Sequence, residues 1–357
     1  MTKQSFFKKF KWQNYIGYVV IIAVMLIFGI QSLSGTIGRS DTVILEKIGI
    51  AIILAMSLGL VVGNLGELSL GHAGFMCIGA YLGGKVSAVL APSLGNGFLT
   101  LVVAVLVGGL AAALFGVIVG LPALRLRGDY LAIVTLAFGE ITRTVIMNLP
   151  EKLFGGTLGL ETPRFNNKYL FLIALGLVII CLAVIQNMLK SKHGRAIAAI
   201  RDNEIAARAM GINITKYKLL VFVISSFFAG IAGVLYSYTQ TRVQSASFDY
   251  NYSIEILVMV VLGGIGSVNG SMVAAALITF LNIKLQTLLP GDLAVLQNLF
   301  YAVILILTVI YKNAPSLKPF REKYNLKALW ALIVNMFKKK DKKEKKAKKS
   351  KKGGAEQ

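Results

Sequence analysis

The sequence predicts an all-α, polytopic transmembrane helical bundle of about ten spans, with about eight as the lower bound. Three observations predict it. Of the 357 residues 56% are hydrophobic and mean hydropathy is +0.71, too apolar for a soluble core inside a polar surface. Apolar runs follow one another with short loops between them, several reaching the roughly 20 residues that a span needs. The basic residues gather in alternate loops.

The elements follow in order. Residues 1–14 form a basic N-terminus with Lys3, Lys8, Lys9 and Lys11, and the apolar run 15–33 follows. A signal peptide begins in the same way, but no small-residue cleavage site closes this run and further spans follow. It is therefore expected to be an uncleaved first helix. Further spans are expected at 43–63, 73–91, 98–121, 129–148, 169–189, 217–240, 253–265, 271–289 and 294–311, which makes 15–311 the transmembrane domain.

With both termini on the cytoplasmic side, the inside loops before the tail hold the four N-terminal lysines, Arg125, Arg127, Lys190, Lys192, Arg195, Arg201, Arg208 and Lys216. The outside loops hold only Arg39, Lys152, Arg164, Lys168 and Arg242. Positive charge inside supports that orientation in a multi-pass protein of the cytoplasmic membrane. Residues 312–337 include a mostly apolar dozen with Trp330, too short to span and suited to an interfacial helix. Residues 338–357 carry eleven Lys against Asp341, Glu344 and Glu356. Such a disordered tail after a last span suits anionic membrane lipid better than nucleic acid. Cys77 and Cys181 lie in separate apolar runs, and His72 and His193 are far apart. No disulfide, metal or cofactor bound by this chain is expected.

Two stretches resist a plain helix reading: 62–79 (VGNLGELSLGHAGFMCIG) and 262–270 (LGGIGSVNG). Glycines weaken a helix, and irregular backbone at membrane depth survives only beside protein or a water-filled cavity. Paired interruptions of this kind often mark a broken helix on a substrate path. The alternative is that the glycines allow close helix packing and that 64–71 is a loop. Asn64, Glu67, Ser69, His72, Ser267 and Asn269 are the candidate path residues. Glu140 joins them as a carboxylate inside an apolar run, although its simplest role is to pair with Arg143 one turn on. Lys85 or Lys284 is expected to snorkel. Arg125, Arg127 and Asp129 form a charged turn after Pro122, with Asp129 placed to favour a helix N-terminus.

The longest charged interruption is 191–216. Arg195 to Met210 reads as one helix of about four turns ending at Gly211, which suits a left-handed cap. Glu204 and Arg208 stand four apart on it, and its alanines allow a partner to approach closely. A solvated loop helix is the plainer reading. However, GRAIAAIRDNEIAARAMGIN followed by KYKLLVFVISSFFAGIAGVLY closely resembles the coupling segment of LivM-type, branched-chain amino acid ABC permeases. LPALRLRGDYLAIVTLAFGEITR, GNLGELSLGHAGFMCIGAYLGG and VVLGGIGSVNGSMVAA resemble that family's other signatures, in order, over about 43–310. The chain has GGTLGL where the family usually shows a Gly-Gly-Pro-Asn-Gly type run.

The resemblance implies a permease subunit, not an enzyme, in which the coupling segment docks into a groove of an ATP-hydrolysing subunit. The implied contact residues are Gly194, Arg195, Ala196, Ile200, Arg201, Asp202, Asn203, Glu204, Ala207, Arg208, Met210 and Gly211. It also implies two ABC ATPase subunits carrying the ATP, a second homologous (LivH-like) permease and an extracytoplasmic substrate-binding protein. The outer loops 148–168 and 240–252 are either contacts for that binding protein or simple covers. The implied cargo is a branched-chain amino acid. Urea, amides, other amino acids, simple sugars or nucleosides would suit the same architecture, and an ion-gradient-driven secondary transporter is the rival from another class.

Overall fold

Every expected span before residue 290 becomes a helix. The computed structural model describes residues 16–34, 38–95, 97–126, 128–163 and 169–288, together with Leu299, Val303, Ile306 and Ile310. The chain divides into two units, Met1–Gln297 and Asn298–Gln357. In the second, those four residues are helical and exposed. The expected basic N-terminus, the interfacial segment 312–337, the lysine-rich tail and most of the span at 294–311 lie outside the described residues, as does Arg127.

In the first unit, α1 (Ile16–Leu33) leads to α2 (Arg39–Gly59), which a π-helical turn, Leu60–Leu65, continues. Then come α3 (His72–Leu94), α4 (Phe98–Ala123), α5 (Asp129–Asn148) and the single turn α6 (Glu151–Phe154). α7 (Leu170–Lys190) is followed by the short α8 (Lys192–Asp202) and α9 (Glu204–Ala209), and then by α10 (Ile214–Thr239), α11 (Tyr250–Gly263) and α12 (Val268–Leu288).

Among the described residues seven helices are long and apolar enough to cross a membrane: α2 with its continuation, α3, α4, α5, α7, α10 and α12. α1 and α11 are apolar but shorter. At 1.5 Å per residue, α11 is about 21 Å long against a hydrocarbon core of about 30 Å. Gly264 and Gly266 end it in positive-φ backbone (100° and 84°) before α12 begins. Nine of the ten expected spans therefore fall within the described part, seven of them as helices long enough to cross a membrane and two as shorter apolar helices.

Small residues decide which helices touch. α10 packs on α2, α3 and α4. Gly79 of α3 lies so close to Gly230 of α10 that a Cβ there would be 2.5 Å from the Gly230 Cα, and Gly233 is held against the Met76 carbonyl. Lipid tails are as apolar as the helices, so this backbone proximity and the dispersion it allows drive association in place of the hydrophobic effect. α2 is buried on every side from Gly49 to Gly59 and is surrounded by α7, α10, α11 and α12.

The far end of α10 leads into a small clip. β1 (Leu160–Glu161) pairs antiparallel with β2 (Arg242–Val243). Arg242 and Glu161 form an ion pair, the Thr162 hydroxyl donates to the Ser237 carbonyl at 2.8 Å, and the Tyr81 hydroxyl donates to the Val243 carbonyl at 3.0 Å. The two long loops expected to lie outside thus fasten to each other. Lys85 donates to the Lys152 carbonyl at 3.3 Å in this region, and Lys284 lies 5.8 Å from the Phe280 ring centroid.

Candidate functional site

At the opposite end of α10 the chain builds a knob from local capping chemistry. The Ser191 hydroxyl oxygen accepts from the His193 amide at 3.1 Å and starts α8. Gly194 then lets α8 fold back against the Leu189 carbonyl, where a Cβ would collide. Ile197 and Ile200 turn into the protein while Arg195 and Arg201 stay exposed.

The expected single helix 195–210 is two. Asn203 breaks it in extended backbone (φ −159°, ψ 105°), and its side-chain oxygen accepts from the Ala206 amide at 3.0 Å to begin α9. An Asn competes well for the backbone at a helix start and poorly in a helix interior, so the break falls there. The expected cap at Gly211 is present at φ +79°. The Gly211 amide donates to the Arg208 carbonyl at 3.0 Å and the Ile212 amide to the Ala207 carbonyl at 3.1 Å, the paired bonds of a Schellman cap. Gly211→Ala should loosen the knob by about 1 kcal/mol, because Cβ is strained at positive φ. Faster amide exchange over 204–212 with unchanged exchange in the spans would check this.

The knob presents both apolar and charged groups outward. Ile205 is 76% and Met210 82% exposed, and Asp202, Asn203 and Arg208 are exposed beside them. Of the residues expected to face a partner, Gly194, Ile200 and Ala207 are buried within this chain instead. Their role is to seat the knob.

Underneath lies a residue that the sequence reading passed over. The Lys218 side chain, 4% exposed on the second turn of α10, donates to Glu67 Oε1 at 2.5 Å and to Glu204 Oε2 at 3.3 Å. Glu204 Oε1 in turn accepts from Arg208 at 3.4 Å, the expected i,i+4 pair. A buried ammonium needs such partners, and removing one typically costs about 3–5 kcal/mol. The Arg208 pair is largely solvated and contributes at most about 1 kcal/mol. Beside this cluster the Arg201 stem lies over Gly66, where a Cβ would be 2.9 Å from the Arg201 Cγ.

Glu67 and Gly66 belong to the first glycine-interrupted stretch, which is irregular over a shorter range than expected. Residues 60–65 form the π-helical turn, with the Asn64 side-chain amide donating to the Gly59 carbonyl at 3.3 Å. Gly66 then turns left-handed at φ +83°. The expectation that 72–79 is irregular too is corrected: it is the regular start of α3. Gly74 and Gly79 lie at helix crossings, facing Gly139 and Gly230. Close backbone contact there outweighs the intrinsic cost of a glycine in a helix.

Three hydroxyls hold the start of α3. Thr135 Oγ1 accepts from the Leu70 amide at 3.0 Å, Ser253 Oγ accepts from the Ala73 amide at 3.1 Å, and Ser57 Oγ lies 2.8 Å from His72 Nε2. Ser57 Oγ also lies 3.0 Å from the Leu54 carbonyl oxygen, within hydrogen-bonding distance. These bonds satisfy irregular backbone where water is scarce. Ser69 is buried with its hydroxyl unbonded among the described residues.

The second interruption meets the first. Gly63 approaches Gly266 so closely that a Cβ would lie 2.8 Å from the Gly266 Cα. The two stretches flagged in the sequence are thus one junction. Ser267 and Asn269 do not line it as a pair. Ser267 Oγ accepts from the Gly270 amide at 3.1 Å, and Asn269 Oδ1 accepts from Gln186 on α7 at 3.5 Å. Glu140 stands apart on α5, bonded to Arg143 at 2.9 Å.

The family model described as the branched-chain amino acid transport system / permease component matches residues 42–310. The chain belongs to this family. The permease is 36% identical over 323 residues to the high-affinity branched-chain amino acid transport system permease protein LivM of Salmonella typhimurium, covering 82% of this chain and 73% of the relative. Against LivM of Escherichia coli it is 37% identical over 309 residues, covering 78% and 70%. The ribose import permease protein RbsC of Escherichia coli is 32% identical over 128 residues, 34% of the permease and 38% of the relative. No solved structure matches the chain at a significant level. The permease is a multi-pass membrane protein, and its matched region takes in both the knob and the glycine junction.

Lys218 went unremarked in the sequence because a lysine four residues into a span usually snorkels. The signal that could have found it is the carboxylate at Glu204 in the preceding loop, with Glu67 the one acidic residue of the glycine-interrupted stretch.

Proposed function

We propose that this permease is the membrane-spanning subunit of a binding-protein-dependent ABC importer that carries branched-chain amino acids across the cytoplasmic membrane. The observation that carries the reading is similarity to LivM along most of both chains, against about a third of the chain for the ribose permease. ATP would be hydrolysed on two partner subunits. The nearest run to a phosphate-binding loop here, GAYLGGKV from Gly79, lacks the final Ser/Thr and lies inside α3, where helical hydrogen bonds occupy the backbone amides. A second, LivH-like permease and an extracytoplasmic binding protein would complete the assembly.

The knob, with Ile205, Met210 and Arg208 outward, suits the groove of an ATPase; this end of α10 would then lie in the cytoplasm, as the basic residues of the knob also favour. Closure of the ATPase pair on ATP would displace the knob and shift the two permeases between outward- and inward-open populations. Glu140 and Arg143 have side chains 29% and 28% exposed on a span of which a third is buried. A partly exposed ion pair is costly against lipid, so that face of α5 fits a polar path or a second permease.

The test is uptake by liposomes holding all the proposed subunits. ATP-dependent accumulation of labelled leucine, well above that of urea and ribose, is expected. Leucine uptake that follows an ion gradient without ATP would overturn the importer reading.

A further inference from the structure

We propose that Lys218 is the strut that transmits displacement of the α8–α9 knob to the glycine junction, so that its loss separates ATP hydrolysis from transport. This rests on the importer reading above. Three observations carry it. Lys218 is buried, and its ammonium joins two carboxylates from different regions, Glu204 on the knob and Glu67 on the interrupted stretch. A second, apolar contact runs parallel, the Arg201 stem over Gly66. Beyond Glu67 the same stretch touches the second interruption through Gly63 and Gly266.

The mechanics follow from these contacts. Residues 66–71 have no regular secondary structure and so resist displacement less than the spans around them. Pulling Glu204 moves whatever is tied to it at short range, and a desolvated ionic tie is stiff where a solvated one yields. Without the ammonium, Glu67 and Glu204 face each other as like charges and the tie becomes a repulsion. The knob would then still dock and the ATPases still turn over, but the junction would not follow. Lys218 is in this sense a positioning residue, since it acts through Glu67.

The experiment uses the complete transporter in liposomes and reads leucine uptake and ATP hydrolysis on the same samples. Lys218→Met is expected to lower leucine delivered per ATP by about tenfold or more while hydrolysis stays within about twofold of wild type. Lys218→Arg, which keeps the charge and the donors, is expected to restore uptake to within about threefold. Because Lys218→Met leaves two carboxylates together and risks misfolding, Glu67→Gln is measured beside it. That variant leaves Lys218 neutralised by Glu204, and the same split between uptake and hydrolysis is expected. An unchanged ratio of uptake to hydrolysis in Glu67→Gln, or equal losses of both, overturns the strut. If the wild-type complex shows no ATP-driven uptake of leucine, urea or ribose, it is the importer reading that fails.

Discussion

Gly79→Val is expected to leave little or no folded permease in the membrane. The Gly79 and Gly230 backbones are in direct contact where α3 crosses α10, and a single methyl would already lie 2.5 Å from the Gly230 Cα. A flexible side chain could move aside, but here the obstacle is main chain on both helices. Overpacking a core typically costs about 1–3 kcal/mol, and separating two helices that also contact α4 and α2 costs more. That is a large part of the roughly 5–15 kcal/mol of net stability in an ordinary folded protein. Gly176→Val is the control, because Gly176 in the middle of α7 has nothing within 4 Å of where its Cβ would be. Yield of monodisperse protein in detergent and its thermal midpoint should collapse for the first and hold for the second. Equal behaviour of the two would refute the claim that backbone proximity, and not glycine content, organises the bundle.

Truncating Ile205 and Met210 together to serine should cost the permease its ATPase partner. Both side chains are large, apolar and more than three-quarters exposed at the end of the bundle that bears the knob, so nothing packed within the described part depends on them. Anchors of this kind at interfaces are typically worth about 2 kcal/mol or more, which is about a thirtyfold loss of affinity. Co-purified ATPase should fall accordingly, with the permease itself as stable as before. Full retention of the ATPase would remove the knob from the interface. A loss of permease stability would show that the two side chains are packed and not presented.

Much of the architecture was readable from neighbours along the chain. The apolar runs before residue 290 became helices within a few residues of their expected ends, because length and hydrophobicity are enough to specify a span. The Gly211 cap and the Glu204–Arg208 pair were readable because each involves residues at most a few positions apart. Asn203 followed by Glu204 was an N-cap signal as well, and reading one continuous helix across it overlooked the competition its side chain offers the backbone. The glycines at 74 and 79 misled in the other direction. Intrinsic propensity counts them against a helix, and only the partner glycines on α5 and α10 reveal why they are there.

What lay beyond the sequence was the choice of partners across long separations. Lys218 meets Glu67 from 151 residues away, and Gly63 meets Gly266, because α10 crosses α2 and α3 in one particular way. Ser267 and Asn269 looked like members of the same polar lining, yet one became a cap and the other turned toward α7. Helix length, caps and membrane residence follow from forces acting over a few residues, so local chemistry was enough for them. The meeting of knob and junction needed the helices to pack first, since a charge or a glycine carries no record of which distant backbone will approach it.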